Sequence, residues 1–302
     1  MQPNAPILTR LVEGGRVVPW WKADRVRLPH EIMHSVAYLY TDQIAAEDGD
    51  STGAATAFWV SGEFRPGAFP QGTTVAFVVT NRHVIERGAT TLRWLGRDGT
   101  PSILNVPKED WFFSSNPNLD LALWTVPLGI EGNVFLIPTS RFLIPDELDQ
   151  FDVRIGDDIF MVGRHLGFDG KIKNTPTARF GHLVQYPLED IEDDKGRKHK
   201  SFLVQMPSLP GFSGSPVFLY QNEIEKNAEH GRVAIGQRPR FWKLLGVNLG
   251  HLKAFTATYH AGTQARNQYL YAEINSGINV VIPSWDLGSV FNELLRAKFG
   301  IG

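Results

Sequence analysis

Apolar residues fall in short runs along this chain, cut by glycine, proline and charge, and that rhythm predicts strands and turns rather than long helices. The first run, between His34 and Thr41, is rich in β-branched and aromatic side chains, and a polar loop through Asp48, Gly49 and Asp50 follows it. Positions 55–61 and 73–80 then read as two strands joined by a Gly/Pro-rich turn at 62–72. The series continues at 90–94, the turn Arg97-Asp98-Gly99, 102–106 and 121–126. A connector at 127–150, marked by Pro127, Pro138 and Pro145, leads to a second set of strands at 159–163, 178–185, 202–206, 217–220, 244–249 and 280–282. Only the C-terminal end changes period. There Leu287, Val290, Phe291, Leu294, Leu295 and Phe299 line one face of a helix over 285–299, with Ser284 or Asp286 able to cap it. The expectation is an all-β protein of two successive β units, barrels or sandwiches, closed by one helix.

Three segments stand outside this rhythm. Residues 1–30 read as an extension on the domain surface, and the segments 221–243 and 252–273 read as long polar loops. At 186–201 a mixed-charge stretch, acidic from Glu189 to Asp194 and basic from Lys195 to Lys200, reads as a solvated hairpin tip. Composition narrows the class: 302 residues, 42% hydrophobic and 21% charged, suit a soluble globular protein with one large or two ordinary domains. A net charge of −2 gives no electrostatic reason to expect nucleic acid or an anionic membrane as partner. The absence of cysteine excludes disulfides, thiol catalysis and thiolate-bound zinc. With neither a signal-like start nor an apolar run of membrane-spanning length, a cytoplasmic location is expected.

Chemistry enters at Gly211-Phe212-Ser213-Gly214-Ser215-Pro216, where a hydroxyl sits between glycines just before a strand. Taken alone this is either a surface turn or a nucleophile loop whose glycines let backbone N–H groups face an attacked carbonyl. A base and an orienting acid decide between them. His83 follows the apolar run Val75–Val79 in the context Thr80-Asn81-Arg82-His83-Val84, which fixes an imidazole at a strand end. Asp120, in Asn118-Leu119-Asp120-Leu121-Ala122-Leu123, is a lone carboxylate in an apolar run, costly to bury without a hydrogen-bonded partner. Histidine, aspartate and serine in this order predict a catalytic triad.

On these three motifs the chain resembles the trypsin-like serine peptidases of the chymotrypsin fold, in the style of the protease domain of bacterial high-temperature-requirement proteases, over about residues 34–299. The resemblance implies two six-stranded antiparallel β-barrels, at 31–145 and 146–283, with a C-terminal α-helix at 284–302 and the cleft between the barrels. It implies acyl transfer by Ser213, His83 and Asp120, an oxyanion hole from the N–H groups of Gly211 and Ser213, and Ser208, Leu249 and Asn279 around the primary specificity pocket. No metal or organic cofactor is implied. The partner it implies is a protein or peptide substrate; control is expected from a regulatory protein partner or from loop ordering, because the chain departs from the digestive enzymes in its activation residues. Phe212 stands where the digestive enzymes carry the aspartate that pairs with a newly cut N-terminus, so activation in that manner is not expected. An appended peptide-binding (PDZ) domain, which many of the bacterial relatives carry, is not expected after Phe299.

Two other readings compete. His30-Glu31-Ile32-Met33-His34 satisfies His-Glu-x-x-His, a zinc-peptidase signature that requires a helix to set both imidazoles on one face, yet a strand begins at Ser35. The same barrels could also serve as a non-catalytic binding module, if the oxyanion loop is distorted.

Overall fold

The computed structural model describes residues 11–13, 16–18, 28–49, 55–62, 75–127, 129–130, 132–168, 170–193, 196–207, 209–221, 241–258 and 270–300. β1 (Leu11–Glu13) and β2 (Arg16–Val18) pair as a separate ribbon. The first unit follows with β3 (Val36–Tyr40), β4 (Ala55–Gly62), β5 (Val75–Thr80), β6 (Thr91–Leu95), β7 (Pro101–Asn105), β8 (Phe112–Phe113), β9 (Ala122–Thr125) and β10 (Ile137–Pro138). Seven of these run in the order β7-β6-β3-β4-β5-β9-β8, and β10 joins β4 in parallel as the eighth. β3 and β4 are buried along their whole length, so they read as continuous apolar runs instead of alternating ones.

The second unit contains β11 (Asp158–Gly163), β12 (Thr177–Gln185), the small hairpin β13 (Asp190–Glu192) and β14 (Lys198–Lys200), β15 (Phe202–Gln205), β16 (Pro216–Gln221), β17 (Phe241–Thr258) and β18 (Leu270–Pro283). Six of them close into a barrel in the order β11-β12-β15-β18-β17-β16. The six-stranded barrel expected here is therefore present. The first unit differs, being an eight-stranded sheet whose path ends at β7 and at the two-residue β8. β17 and β18 also run well beyond the core strands expected at 244–249 and 280–282. Their ladder continues from Lys253 opposite Asn275 to Thr258 opposite Leu270, through residues that polarity alone assigned to a loop. Main-chain pairing needs no apolar alternation, so sequence gave no sign of it. Residues 222–240 and 259–269, the rest of the two expected loops, lie outside the described residues, as do 63–74.

Three short helices also lie where loops or connectors were expected: α1 (Gln43–Asp48), α2 (Arg82–Glu86) and α3 (Pro145–Gln150). Each is too short to show a helical period. α1 is nucleated by Asp42, whose carboxylate accepts the Ala45 N–H at 2.8 Å. The final helix, α4 (Ser284–Phe299), buries Leu287, Val290, Phe291, Leu294 and Leu295 as its periodicity predicted, while Phe299 stays exposed. Neither Ser284 nor Asp286 caps it. Pro283 precedes the first turn, and the Ser284 hydroxyl donates instead to Leu143 O at 2.7 Å. No helix among the described residues is long and apolar enough to cross a membrane.

α4 unites the two units. Its apolar face joins one cluster with Phe58, Phe77 and Val79 of the first unit and Phe160, Val162 and Phe218 of the second. The Phe291 ring meets Phe77 edge-on at 4.4 Å. Each such aromatic, fully buried, contributes about 1.5–3 kcal/mol, so the units are expected to unfold together. Two buried arginines add polar ties. Arg164 of the second unit donates to Leu39 O at 3.1 Å and lies 3.9 Å over the Tyr40 ring. Arg93 of the first reaches Gly170 O and Lys171 O.

In the first turn of α4, burial pushes the Asp286 carboxyl up to about 6. A folded-state value above the unfolded one favours the protonated form, so stability falls as pH rises between about 4 and 6 and the cost is complete above that. Asp286→Asn is therefore expected to raise Tm by about 2–4 °C at pH 8 and to leave it unchanged near pH 4 in thermal melts.

Candidate active site

The register of the first sheet brings His83 and Asp120 together. Thr80 at the end of β5 pairs with Ala122 at the start of β9, so the turn after β5 faces the residues before β9. Asp120 is fully buried, and that turn surrounds it with donors: Asn81 Nδ2 and the Arg82 N–H to its main-chain carbonyl, and the His83 N–H to Oδ1 at 2.8 Å. Oδ2 meets His83 Nδ1 at 2.5 Å. Burial alone would raise the Asp120 carboxyl. Hydrogen bonds from His83 and Arg197, and their charge, outweigh that and hold it well below the usual carboxylate range.

The serine loop is held from both units. Gly211 has φ 97°, and a side chain there would approach Arg164 O within 2.6 Å, so glycine is required. The Gly211 carbonyl is turned toward the first unit, where Thr56 Oγ1 donates to it at 2.8 Å while accepting the Arg164 N–H at 2.9 Å. The Thr56 N–H binds Ser213 O, and the Gly214 N–H binds Asn248 O. Phe212 O takes the Asn248 side-chain amide at 2.8 Å, and the buried Phe212 ring lies under the Arg179 guanidinium. The N–H groups of Gly211 and Ser213 meet no acceptor among the described residues.

Ser213 is partly exposed and shares a cavity of about 370 Å³ with His83, though no hydrogen bond joins the two side chains. Apo sites often close that bond only around substrate. Leu249, expected at the specificity pocket, lines this cavity with Gly250 and His251. Asn279 does not. It is buried with its amide donating to Met206 O, and its neighbour Val280 forms the wall instead. Ser208 lies outside the described residues.

One side of the cavity is the charged hairpin β13–β14, contributing Ile191, Glu192, Asp193, Arg197 and His199. Sequence reading missed this wall, together with Thr56 and Asn248. A mixed-charge stretch looks solvated whether or not a neighbouring unit lies over it, and the one legible sign was Asp193 and Arg197 flanking the turn glycine Gly196.

The His30–His34 motif sits elsewhere, on a six-residue 3-10 helix (His30–Ser35) with the two rings 5.3 Å apart. Burial and the nearby His30 lower the basicity of His34. No group of three or more potential metal ligands occurs among the described residues.

No protein-family model matches the chain, and no curated protein matches it. Among solved structures it is similar to Deg5, at 18% identity over 73% of this chain and 81% of that one, with a TM-score of 0.42. It is similar to an HtrA-type protease, AlgW with decapeptide, at 16% identity over 87% of this chain and 65% of that one, TM-score 0.42. A third is Rv3671c from M. tuberculosis H37Rv in an inactive form, at 13% identity over 87% of this chain and 88% of that one, TM-score 0.43.

Proposed function

We propose that the protein is a serine endopeptidase acting through Ser213, His83 and Asp120. The observation that carries this reading is the buried Asp120–His83 pair at 2.5 Å, opening on the same cavity as a serine held between two glycines of positive φ. Ser213 Oγ attacks the peptide carbonyl carbon while His83 Nε2 takes its proton. Asp120 stabilises the resulting imidazolium, which then protonates the leaving amine. Water repeats the sequence on the acyl-enzyme. The unpaired N–H groups of Gly211 and Ser213 serve the developing oxyanion, each donor being worth about 10²–10³ in rate. Around the site Leu249 and Val280 supply apolar surface, in keeping with an uncharged side chain at the cleavage site.

The test is treatment of the full chain with a fluorophosphonate probe, followed by peptide mapping. A single adduct on Ser213, together with new termini in a peptide library that Ser213→Ala does not produce, is the expected result. Failure of the wild type to take up probe or cut any peptide would leave the barrels as a binding module. Loss of peptide cleavage to a chelator, without labelling, would favour a metal-dependent reaction instead.

A further inference from the structure

We propose that Arg197 is a positioning residue of this site, holding Asp120 in the orientation that meets His83, and that the β13–β14 hairpin is a working wall of the cavity. The inference rests on the serine-peptidase reading above. Arg197 Nη1 donates to Asp120 Oδ1 at 2.8 Å, across from the second unit into the first. The opposite edge of the same guanidinium is fixed by Asp193, whose Oδ2 lies 2.6 Å from both Nε and Nη2. The Arg197 N–H returns to Asp193 Oδ1 at 2.9 Å, and the Gly196 N–H binds Asp193 O. The turn is therefore a closed frame that presents one guanidinium edge of Arg197, a side chain only 14% exposed, to a carboxylate with no exposure at all.

The division of labour on Asp120 gives Arg197 its role. Oδ1 receives the His83 N–H and Arg197, while Oδ2 is left for the His83 ring. A carboxylate anchored through one oxygen cannot rotate, so its other lone pairs stay on Nδ1. Arg197 also sets the charge that His83 meets. The groups facing His83 around the cavity are Asp120 itself, Arg87 of its own turn, Glu192, Asp193, Arg197 and His199 of the hairpin, and His251 of β17. Among the cations, Arg197 is the one bonded to Asp120, and it partly neutralises the anion that must stabilise an imidazolium. Positioning and neutralisation come apart in two substitutions. Glutamine keeps a donor and loses the charge, whereas lysine keeps the charge and loses the planar fork that holds Asp193 through two nitrogens and Asp120 through the third.

The test compares wild type, Arg197→Gln and Arg197→Lys by the rate of fluorophosphonate labelling of Ser213 across pH, and by the low-field proton resonance of the His83–Asp120 hydrogen bond. Arg197→Gln is expected to label about tenfold more slowly at its optimum, with the acid limb moved up by about one pH unit and the resonance shifted or broadened. Arg197→Lys should keep the limb in place and recover only part of the rate. Wild-type profiles and an unmoved resonance in both variants would overturn the proposal, as would a lower Tm with limb and resonance unchanged, the mark of a mere strut. Should Arg197→Gln not fold, Arg197→Lys and Asp193→Asn decide: slower labelling of the folded protein supports the proposal, and wild-type rates in both overturn it. If wild type takes up no probe while the resonance still moves in Arg197→Gln, the peptidase reading falls and the hold of Arg197 on the pair stands.

Discussion

Asp120→Asn is expected to slow Ser213 modification by about 10⁴ at neutral pH while leaving a folded protein. The reason lies in how many donors converge on this side chain. His83 N–H and Arg197 both require an acceptor at Oδ1, and only the His83 ring lies at Oδ2. An amide has a single oxygen, and two donors claim it, so its NH₂ group turns to His83 Nδ1. That forces the imidazole proton onto Nε2, the nitrogen that must accept from Ser213. The variant thus holds the wrong tautomer by the same contacts that hold the right one in the wild type. Labelling rates report the effect, and circular dichroism checks the fold. Stability carries a second signature: the carboxyl is held well below its ordinary range, so its contribution is present above the unfolded value near 4 and is lost as pH falls. Unfolding free energies of wild type and variant from urea titrations should differ by about 2 kcal/mol at pH 7, and the gap should narrow steadily as pH falls below about 4.

Gly214→Ala is expected to destabilise the protein and disable the serine loop together. Gly214 has φ 81°, and a side chain would be driven into Thr56 O and Thr80 Oγ1, which are bonded to each other at 2.8 Å. The loop cannot retreat, because Ser213 O is tied to Thr56 N–H on one side and Gly214 N–H to Asn248 O on the other. Left-handed strain of about 1–3 kcal/mol and overpacking of about 1–3 kcal/mol combine, giving about 2–6 kcal/mol lost and a serine that no longer takes probe. Gly99→Ala separates the two causes. Its φ is 83° with no atom near the added carbon, so only the strain is paid and labelling persists. Melting curves and labelling of the pair give the comparison.

Much of this site was legible from local chemistry. Asp120 stood out because a carboxylate in an apolar run demands a partner, and the structure supplies His83. The main strands of both units followed from runs of β-branched and aromatic residues and α4 from its period, while the two-residue β8 and β10 were too short to read. What stayed hidden depends on contacts between distant segments. Thr56 looks like any strand threonine until Gly211 and Arg164, more than a hundred residues away, are placed against its hydroxyl. Arg197 belongs to a stretch whose charge pattern describes its own surface and says nothing of Asp120. Asn279 shows the converse: at a position that the family resemblance assigned to the pocket, the amide turns to the Met206 carbonyl, and the neighbouring strand residue lines the cavity. The extension of β17 and β18 was not read because its main-chain pairing needs no apolar alternation along the segment.

The two halves of the site are fastened by different kinds of bond. Neutral groups clamp the serine loop: a threonine hydroxyl, an asparagine amide and main-chain N–H donors. Formal charges at the cavity edge, through Arg197 and Asp193, secure the acid that orients the base. Dissolved salt has a grip on one half only, and a modest one, since Arg197 and Asp193 are 14% and 12% exposed and mobile ions screen partly buried pairs far less than open ones. Ionic strength is then expected to adjust the His83–Asp120 pair only slightly, with the serine loop as its fixed reference.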